Sequence, residues 1–288
     1  KTYDMGGLTG VGTYPEYANQ GLMHKLLYQS LKNMREKKQS ISYLYPYSIP
    51  YYRRKGWEIV SDKITYEIKD YQLPKNKQVS GEVERVDVES DEVKKAYERF
   101  AYQTHGALIR DDLAWNEYWL WDSDDLMGAI YYNDKNEPDG YVLYWIKDEV
   151  FHIKDMIFIN EEARTGLWNF ISAHFSMINK VVGDTYTDEP LAFLFEDADI
   201  KESISPYFMA RIVDLEEFIE QYPFKPDTVD REWIFKMDDP ILSWNQGYFK
   251  RIIDKSGKGK ISRTSEKTED KTDIQTMTTM LLGYKRPD

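Results

Sequence analysis

The chain of 288 residues carries a formal net charge of −12 and a pI near 5.0. That balance argues against nucleic acid and against an anionic membrane surface, since both need basic patches. It has no cysteine, so disulfides, thiolate metal sites and a cysteine nucleophile are excluded. No basic-then-apolar leader opens the sequence and no run approaches about 18 apolar residues, so a cytoplasmic protein is expected.

Taken in order, LTGVGT (residues 8–13) reads as a strand end. After Pro15 a polar loop runs to Gly21 and then a helical period sets in. Met23, Leu26, Leu27, Leu31 and Met34 fall on one face, and Lys32, Arg35, Lys37 and Lys38 crowd the far end, where cations complement the helix dipole. The first amides of such a helix lack intrahelical partners and suit a pyrophosphate. ISYLYPY reads as a strand by its alternation. Ser48 reads as an N-cap with Pro50 in the first turn of a short helix ending at Gly56. WEIVSDKITYEIKDY gives two strands around a Ser-Asp turn, and residues 73–82 read as a linker.

The next stretch, 83–205, opens with two amphipathic helices, DEVKKAYERFAYQ and LAWNEYWLW. Strands follow at GAIYYN, GYVLYWI and VFHIKDMIFI, then a helix through ARTGLWNFISAHFSMIN, and PLAFLFE closes as a buried strand. It contains no Gly-rich phosphate loop behind a strand. Residues 206–288 give a strand and helix in FMARIVDLEEFIEQYPF and strands at REWIFKMDD and SWNQGYFKRII. A polar stretch over 254–272 reads as a hairpin tip or loop, and Asp273 caps a last helix, DIQTMTTMLLGY.

PEYANQGLMHKLL and LYPYSIPYYRRKGWEIV, in this order and at this separation, resemble the pyrophosphate loop and the strand, short helix and aromatic-Gly-aromatic turn of the GNAT superfamily of N-acetyltransferases. Together with the last segment they resemble its enhanced intracellular survival (Eis) type. The resemblance implies an α+β fold with tandem GNAT-like domains followed by a sterol carrier protein-like α/β domain. The divisions are residues 1–72 (the C-terminal part of a catalytic GNAT domain that starts partway through), a linker at 73–82, a degenerate GNAT-like domain at 83–205 and the sterol carrier-like domain at 206–288. The family's leading Arg/Gln is replaced by Ala18, while Gly21 is kept.

The reaction so implied is acetyl transfer from acetyl-CoA, as cosubstrate, to a cationic amine such as an aminoglycoside or a protein lysine, with no metal. By the resemblance, Tyr52 in YYRRKGW protonates the departing thiolate. A phenol near pKa 10 stays protonated at neutral pH and is close enough to a thiol for useful transfer. Tyr51, on another face of the helix, is expected only to pack. Val11, Gly12 and Thr13 are expected along the pantetheine arm, Asn19, Gln20, Gly21, Leu22, Met23 and His24 at the pyrophosphate, and Tyr47 and Ser48 beside the thioester. The family's terminal carboxylate base has no match in YKRPD, and no base is assigned to His24, His105, His152 or His174. The acidic runs at Asp111-Asp112, Asp122 to Asp125 and Glu196 to Asp199 are solvated faces or caps, or else draw a polycation. A homo-oligomer, a hexamer by resemblance, is expected, with no nucleic-acid or membrane partner. The rival reading is a non-catalytic acyl-CoA or lipid binding protein using the third domain.

Overall fold

The computed structural model describes residues 1–119, 125–187 and 191–285. The chain begins β1 (Met5–Leu8), α1 (Leu22–Glu36), β2 (Ile41–Leu44), α2 (Ile49–Arg53), β3 (Glu58–Ile59) and β4 (Asp62–Lys69). It continues β5 (Glu82–Val86), α3 (Asp91–Gln103), α4 (Asp112–Trp119), β6 (Met127–Tyr132), β7 (Pro138–Lys147), β8 (Val150–Phe158), α5 (Glu161–Ser172), β9 (Lys180–Tyr186) and β10 (Lys201–Pro206). The last stretch is β11 (Met209–Ile212), α6 (Leu215–Gln221), β12 (Arg231–Asp238), β13 (Gly247–Ile253), β14 (Gly259–Arg263), β15 (Lys271–Asp273) and α7 (Ile274–Leu281).

These elements form two compact units, one joining Lys1–Asp62 to Pro206–Asp288 and the other comprising Lys63–Ser205. The first unit closes because β11 inserts between β2 and β3, antiparallel to both, giving a sheet of order β1-β2-β11-β3. Met209, Ala210 and Ile212 of that strand are fully buried. So the divisions expected at 72 and 206 follow the order of the chain, while compactness unites its two ends. A second sheet of order β14-β13-β12-β15 carries α6 and α7 over a core of Phe218, Phe235, Met237, Phe249, Ile274 and Met277. Asp273 caps α7 as expected, its carboxylate accepting from the Thr276 amide. Leu27 and Leu31 of α1 are fully buried with Trp57 and Met209, each such leucine contributing roughly 1.5–3 kcal/mol. Leu26, expected on that face, is 53% exposed.

The second unit is a seven-stranded sheet of order β10-β4-β9-β8-β7-β6-β5, and strand alternation buries both of its faces. Ala129, Tyr131, Val142 and Tyr144 pack with α5, whereas Ile130, Tyr141 and Leu143 pack with α3 and α4. Within it β8, α5 and β9 make a parallel strand–helix–strand unit.

Several expectations are corrected. β1 ends at Leu8, so LTGVGT is almost wholly loop, because its partner β2 stops at Leu44 just before Pro46. Both strands expected around the Ser-Asp turn are present, and they pair apart from each other, β3 with β11 and β4 with β9. PLAFLFE is a 3₁₀ turn at Leu191–Leu194, since its inward residues Leu191, Leu194 and Phe195 follow a helical spacing; Pro190 lies outside the described residues. The polar stretch 254–272 contains β14, whose Gly259 and Ile261 alternate inward, and the start of β15. SWNQGYFKRII is strand only from Gly247, after a 3₁₀ turn. α5 stops at Ser172, and the last two residues of LAWNEYWLW, with Asp122 to Asp124, lie outside the described residues. Residues 73–82 are tied down: Lys77 and Asn169 exchange hydrogen bonds and Leu73 and Val79 pack on the core.

Candidate active site

Four residue pairs, Met5↔Ile41 to Leu8↔Leu44, hold β1 and β2 in parallel register before the strands end. Val11, Gly12 and Thr13 follow as irregular backbone whose amides have no backbone partner among the described residues. The chain then turns back through Asn19 and Gly21, both with positive φ (61° and 71°), a region glycine and asparagine enter at least cost.

Gly21 is the N-cap of α1, and its carbonyl accepts the first intrahelical bond from the Lys25 amide at 3.2 Å. The amides of Leu22, Met23 and His24 precede that bond, with no side-chain cap and no acidic residue in the first turn. An open helix start of this kind presents N–H donors and partial positive charge. Lys55, which the sequence reading did not single out, adds to that charge: its Nζ lies 3.0 Å from His24 Nδ1. The cationic run in YYRRKGW was the available signal, but the pairing spans 31 positions.

Lys55 belongs to the turn that ends α2, its amide donating to the Tyr52 carbonyl at 2.9 Å. Tyr52 packs edge-on against Tyr51 (5.3 Å) and Trp57 (6.1 Å) at the rim of the core. Its hydroxyl makes no hydrogen bond among the described residues, and burial pushes its phenol up, which keeps it protonated at neutral pH. Tyr51 packs on the same apolar cluster, in line with the packing role expected of it. Ser48 begins α2 without a side-chain cap, although its carbonyl accepts from the Tyr51 and Tyr52 amides. Tyr47 is fully exposed. The structure thus joins His24, Lys55 and Tyr52 through one turn and leaves Tyr47 in solvent.

The remaining histidines lie elsewhere. His174 is buried with Nδ1 2.9 Å from the Phe170 carbonyl, so that nitrogen carries the proton, and Nε2 accepts from Arg85. His152 stacks on Trp145 at 4.7 Å, and burial pushes its imidazole down. Asp111 caps α4 through the Ala114 amide, and Glu196 pairs with Lys75. An open cleft of about 340 Å³ lies between Arg53, Arg54 and Glu58 and the start of α7. Tyr52 does not line it, so cleft size does not locate this chemistry. Among the described residues no His, Asp and Glu cluster suits a metal ion, and no helix is long and apolar enough to cross a membrane.

Residues 1–60 and 106–212 each match a model of an acetyltransferase (GNAT) domain, and residues 215–288 match a sterol carrier protein domain. Among solved structures, a conserved protein of unknown function from Enterococcus faecalis V583, described as a probable N-acyltransferase, is 30% identical over 98% of this chain and 72% of its own, with a TM-score of 0.89. The chain belongs to the GNAT acetyltransferases. A GCN5-related N-acetyltransferase from Anabaena variabilis is also similar to this GNAT protein, at 26% identity over 96% of this chain and 71% of its own, with a TM-score of 0.82. Eis1 from Mycobacterium abscessus shares the fold at 20% identity, covering 97% of this chain and 73% of its own, with a TM-score of 0.75. No curated protein matches. As a GNAT acetyltransferase the chain is an acyl-CoA-dependent enzyme with acetyl-CoA as cosubstrate, and a sterol carrier-like segment follows its GNAT domains.

Proposed function

We propose that this enzyme acetylates a cationic amine at the site built by β1, α1 and α2, and that it is an Eis-type, cytoplasmic homohexamer with the three-domain division read from its sequence. The uncapped, acid-free start of α1 carries the reading. The pyrophosphate of acetyl-CoA rests on the amides of Leu22, Met23 and His24, with Asn19, Gln20 and Gly21 shaping the turn. Lys55 supplies charge where Ala18 replaces the family's arginine. The pantetheine arm runs along Val11, Gly12 and Thr13, and Tyr47 and Ser48 flank the thioester.

The neutral amine attacks the thioester carbonyl, the C–N bond forms as the C–S bond breaks, and the Tyr52 phenol protonates the departing thiolate. The new amide nitrogen releases its extra proton to water, and the phenolate takes one back from water. Substrates of the aminoglycoside or protein-lysine class fit the acidity of the chain. Lipid carriage by residues 206–288 is the weaker reading, since fully buried Phe218, Phe235 and Phe249 fill that segment's interior.

The test is a thiol-release assay with acetyl-CoA against a panel of polyamines and aminoglycosides, for the protein and for Tyr52→Phe. Turnover with an amine, lost in the variant, supports the reading. Equal turnover in both removes Tyr52 from it, and no turnover with any amine removes the substrate class. Sedimentation tests the assembly, where a monomer counts against the hexamer.

A further inference from the structure

A fully buried arginine sits behind the α2 turn. Arg211, in the middle of β11, has no exposed surface, and neither does the Asp239 side chain that faces it. Each arm of its guanidinium has a partner: Nε donates to the Ile212 carbonyl at 3.3 Å, Nη2 to Asp239 Oδ2 at 2.5 Å, and Nη1 to the Lys55 carbonyl at 2.5 Å. Its Cζ lies 5.2 Å from the centroid of the Trp57 ring.

The last of these bonds needs the residue between Lys55 and Trp57 to be glycine. Gly56 has φ +90°, and a Cβ there would lie 2.6 Å from Arg211 Nη1. The glycine of YYRRKGW therefore serves two ends, the left-handed turn that stops α2 and the close approach of the guanidinium. Asp239 is itself held. Its Oδ1 accepts from the Ile241 and Leu242 amides and its Oδ2 from Asn245 Nδ2, while Asn245 accepts the amide of Leu215. The network runs from the sterol carrier-like segment to the turn that carries Lys55 and follows Tyr52.

Burying an ion pair costs desolvation that its mutual attraction seldom exceeds, so such a pair is weak evidence of stabilisation. A fork that ends on the backbone of one turn instead fixes geometry. The turn it fixes has the Tyr52 carbonyl as acceptor of the Lys55 amide (2.9 Å) and of the Trp57 amide (3.2 Å). We propose that Arg211 is a positioning residue for acetyl transfer: clamped by Asp239, it holds the Lys55 carbonyl and thereby sets the placement of the Tyr52 phenol. This gives the sterol carrier-like segment a task in catalysis, that of holding the turn. The proposal rests on the role given to Tyr52 above.

Three variants test it. Arg211→Lys keeps a charge for Asp239 but cannot reach both Asp239 and the carbonyl. Arg211→Met/Asp239→Asn removes both charges while leaving an acceptor for the Ile241 and Leu242 amides. The same pair in a Tyr52→Phe background completes a double-mutant cycle. Far-UV circular dichroism and a cooperative melt establish folding, calorimetry gives acetyl-CoA affinity, and kcat is measured with the best acceptor of the amine panel. Arg211→Lys and the charge-free pair are expected to keep acetyl-CoA affinity within about twofold and to lose about ten- to a hundredfold in kcat, the scale of a misplaced reacting group. In the Tyr52→Phe background the pair is expected to cost less than about twofold more, because its effect passes through a hydroxyl already absent. Wild-type kcat in Arg211→Lys, or the same fold-loss with and without the Tyr52 hydroxyl, overturns the proposal. Failure of the Tyr52 reading shows separately, as undiminished kcat in Tyr52→Phe with Arg211 intact.

Discussion

The chain contains the parallel strand–helix–strand unit twice, and the two helices begin in opposite ways. Between β1 and α1 lie residues 9–21, and α1 opens on a glycine with no side-chain cap and no acid in its first turn. Between β8 and α5 lie only residues 159–160, and α5 opens on Asn160, whose Oδ1 accepts the Ala163 amide at 2.8 Å while Nδ2 binds Asp139 at 2.8 Å. Glu161 and Glu162 occupy that first turn. Glu161 pairs with Arg164 and Glu162 accepts the Ser80 amide at 2.7 Å. Hydrogen bonds from the Ser80 amide and hydroxyl hold the Glu162 carboxyl below its usual range, so it stays charged. One helix start has no cap and no acid in its first turn, and the other is capped by Asn160 and carries two carboxylates in its first turn. The strand–helix–strand architecture is common to both, so the proposal that the first copy binds the pyrophosphate rests on the cap and the first turn.

The largest effect tests what only the first copy supports. Tyr52→Phe is expected to lower kcat by about a hundredfold or more, within the range of general acid catalysis, with acetyl-CoA affinity unchanged in calorimetry. Because the donor must be protonated, activity persists below the phenol's pKa and falls as pH rises through it. Burial raises that pKa, so this alkaline limb of kcat belongs above about pH 10 and is absent from the variant. A limb lying lower would show that the phenol is not the group titrating.

A smaller effect makes the open helix resemble the closed one. His24→Glu puts a carboxylate into the first turn of α1, where it pairs with Lys55 and cancels the charge offered to the pyrophosphate, and it is expected to weaken acetyl-CoA binding about tenfold. The reciprocal change, Asn160→Ala, removes the cap of α5 and is expected to lower stability by about 1 kcal/mol, read as a shift in urea midpoint, with acetyl-CoA affinity untouched. A loss of affinity there would mean that the closed copy takes part in binding.

A separate effect is one of pH. Burial pushes the Tyr43 phenol of β2 up to about 12. The native state therefore keeps its proton where the unfolded chain, titrating near 10, has lost it. This contribution is fully present below about pH 10 and is lost as pH rises toward about 12. Tyr43→Phe is expected to flatten the fall in unfolding free energy between about pH 9 and about pH 11. An unchanged slope would place the alkaline sensitivity in other tyrosines.

Much of this was legible in the sequence, for local reasons. The face of α1, the cap at Asp273 and the run of α3 depend on residues within a few positions of one another, and Gly21 and YYRRKGW lie at the two ends of the proposed site. What escaped depends on distance along the chain. β9 and β10 have weak alternation of their own and are strands because partners far away complete them. β11 reads as an ordinary strand, and nothing local says that it enters the first sheet beside β2. Arg211 was visible as a charge inside the apolar run FMARIV, but its target, Lys55, lies 156 positions away. Lys55 itself reads as a surface lysine until α1 and α2 bring its amine to His24.

The measurement that bears most directly on the comparison is calorimetric titration of the protein with acetyl-CoA, repeated for His24→Glu and Glu161→Gln. One equivalent bound per chain, weakened by added salt and by His24→Glu and indifferent to Glu161→Gln, is the predicted result. Binding that ignores His24→Glu and responds to Glu161→Gln, or no binding at all, would contradict the assignment of the open helix start as the acetyl-CoA site.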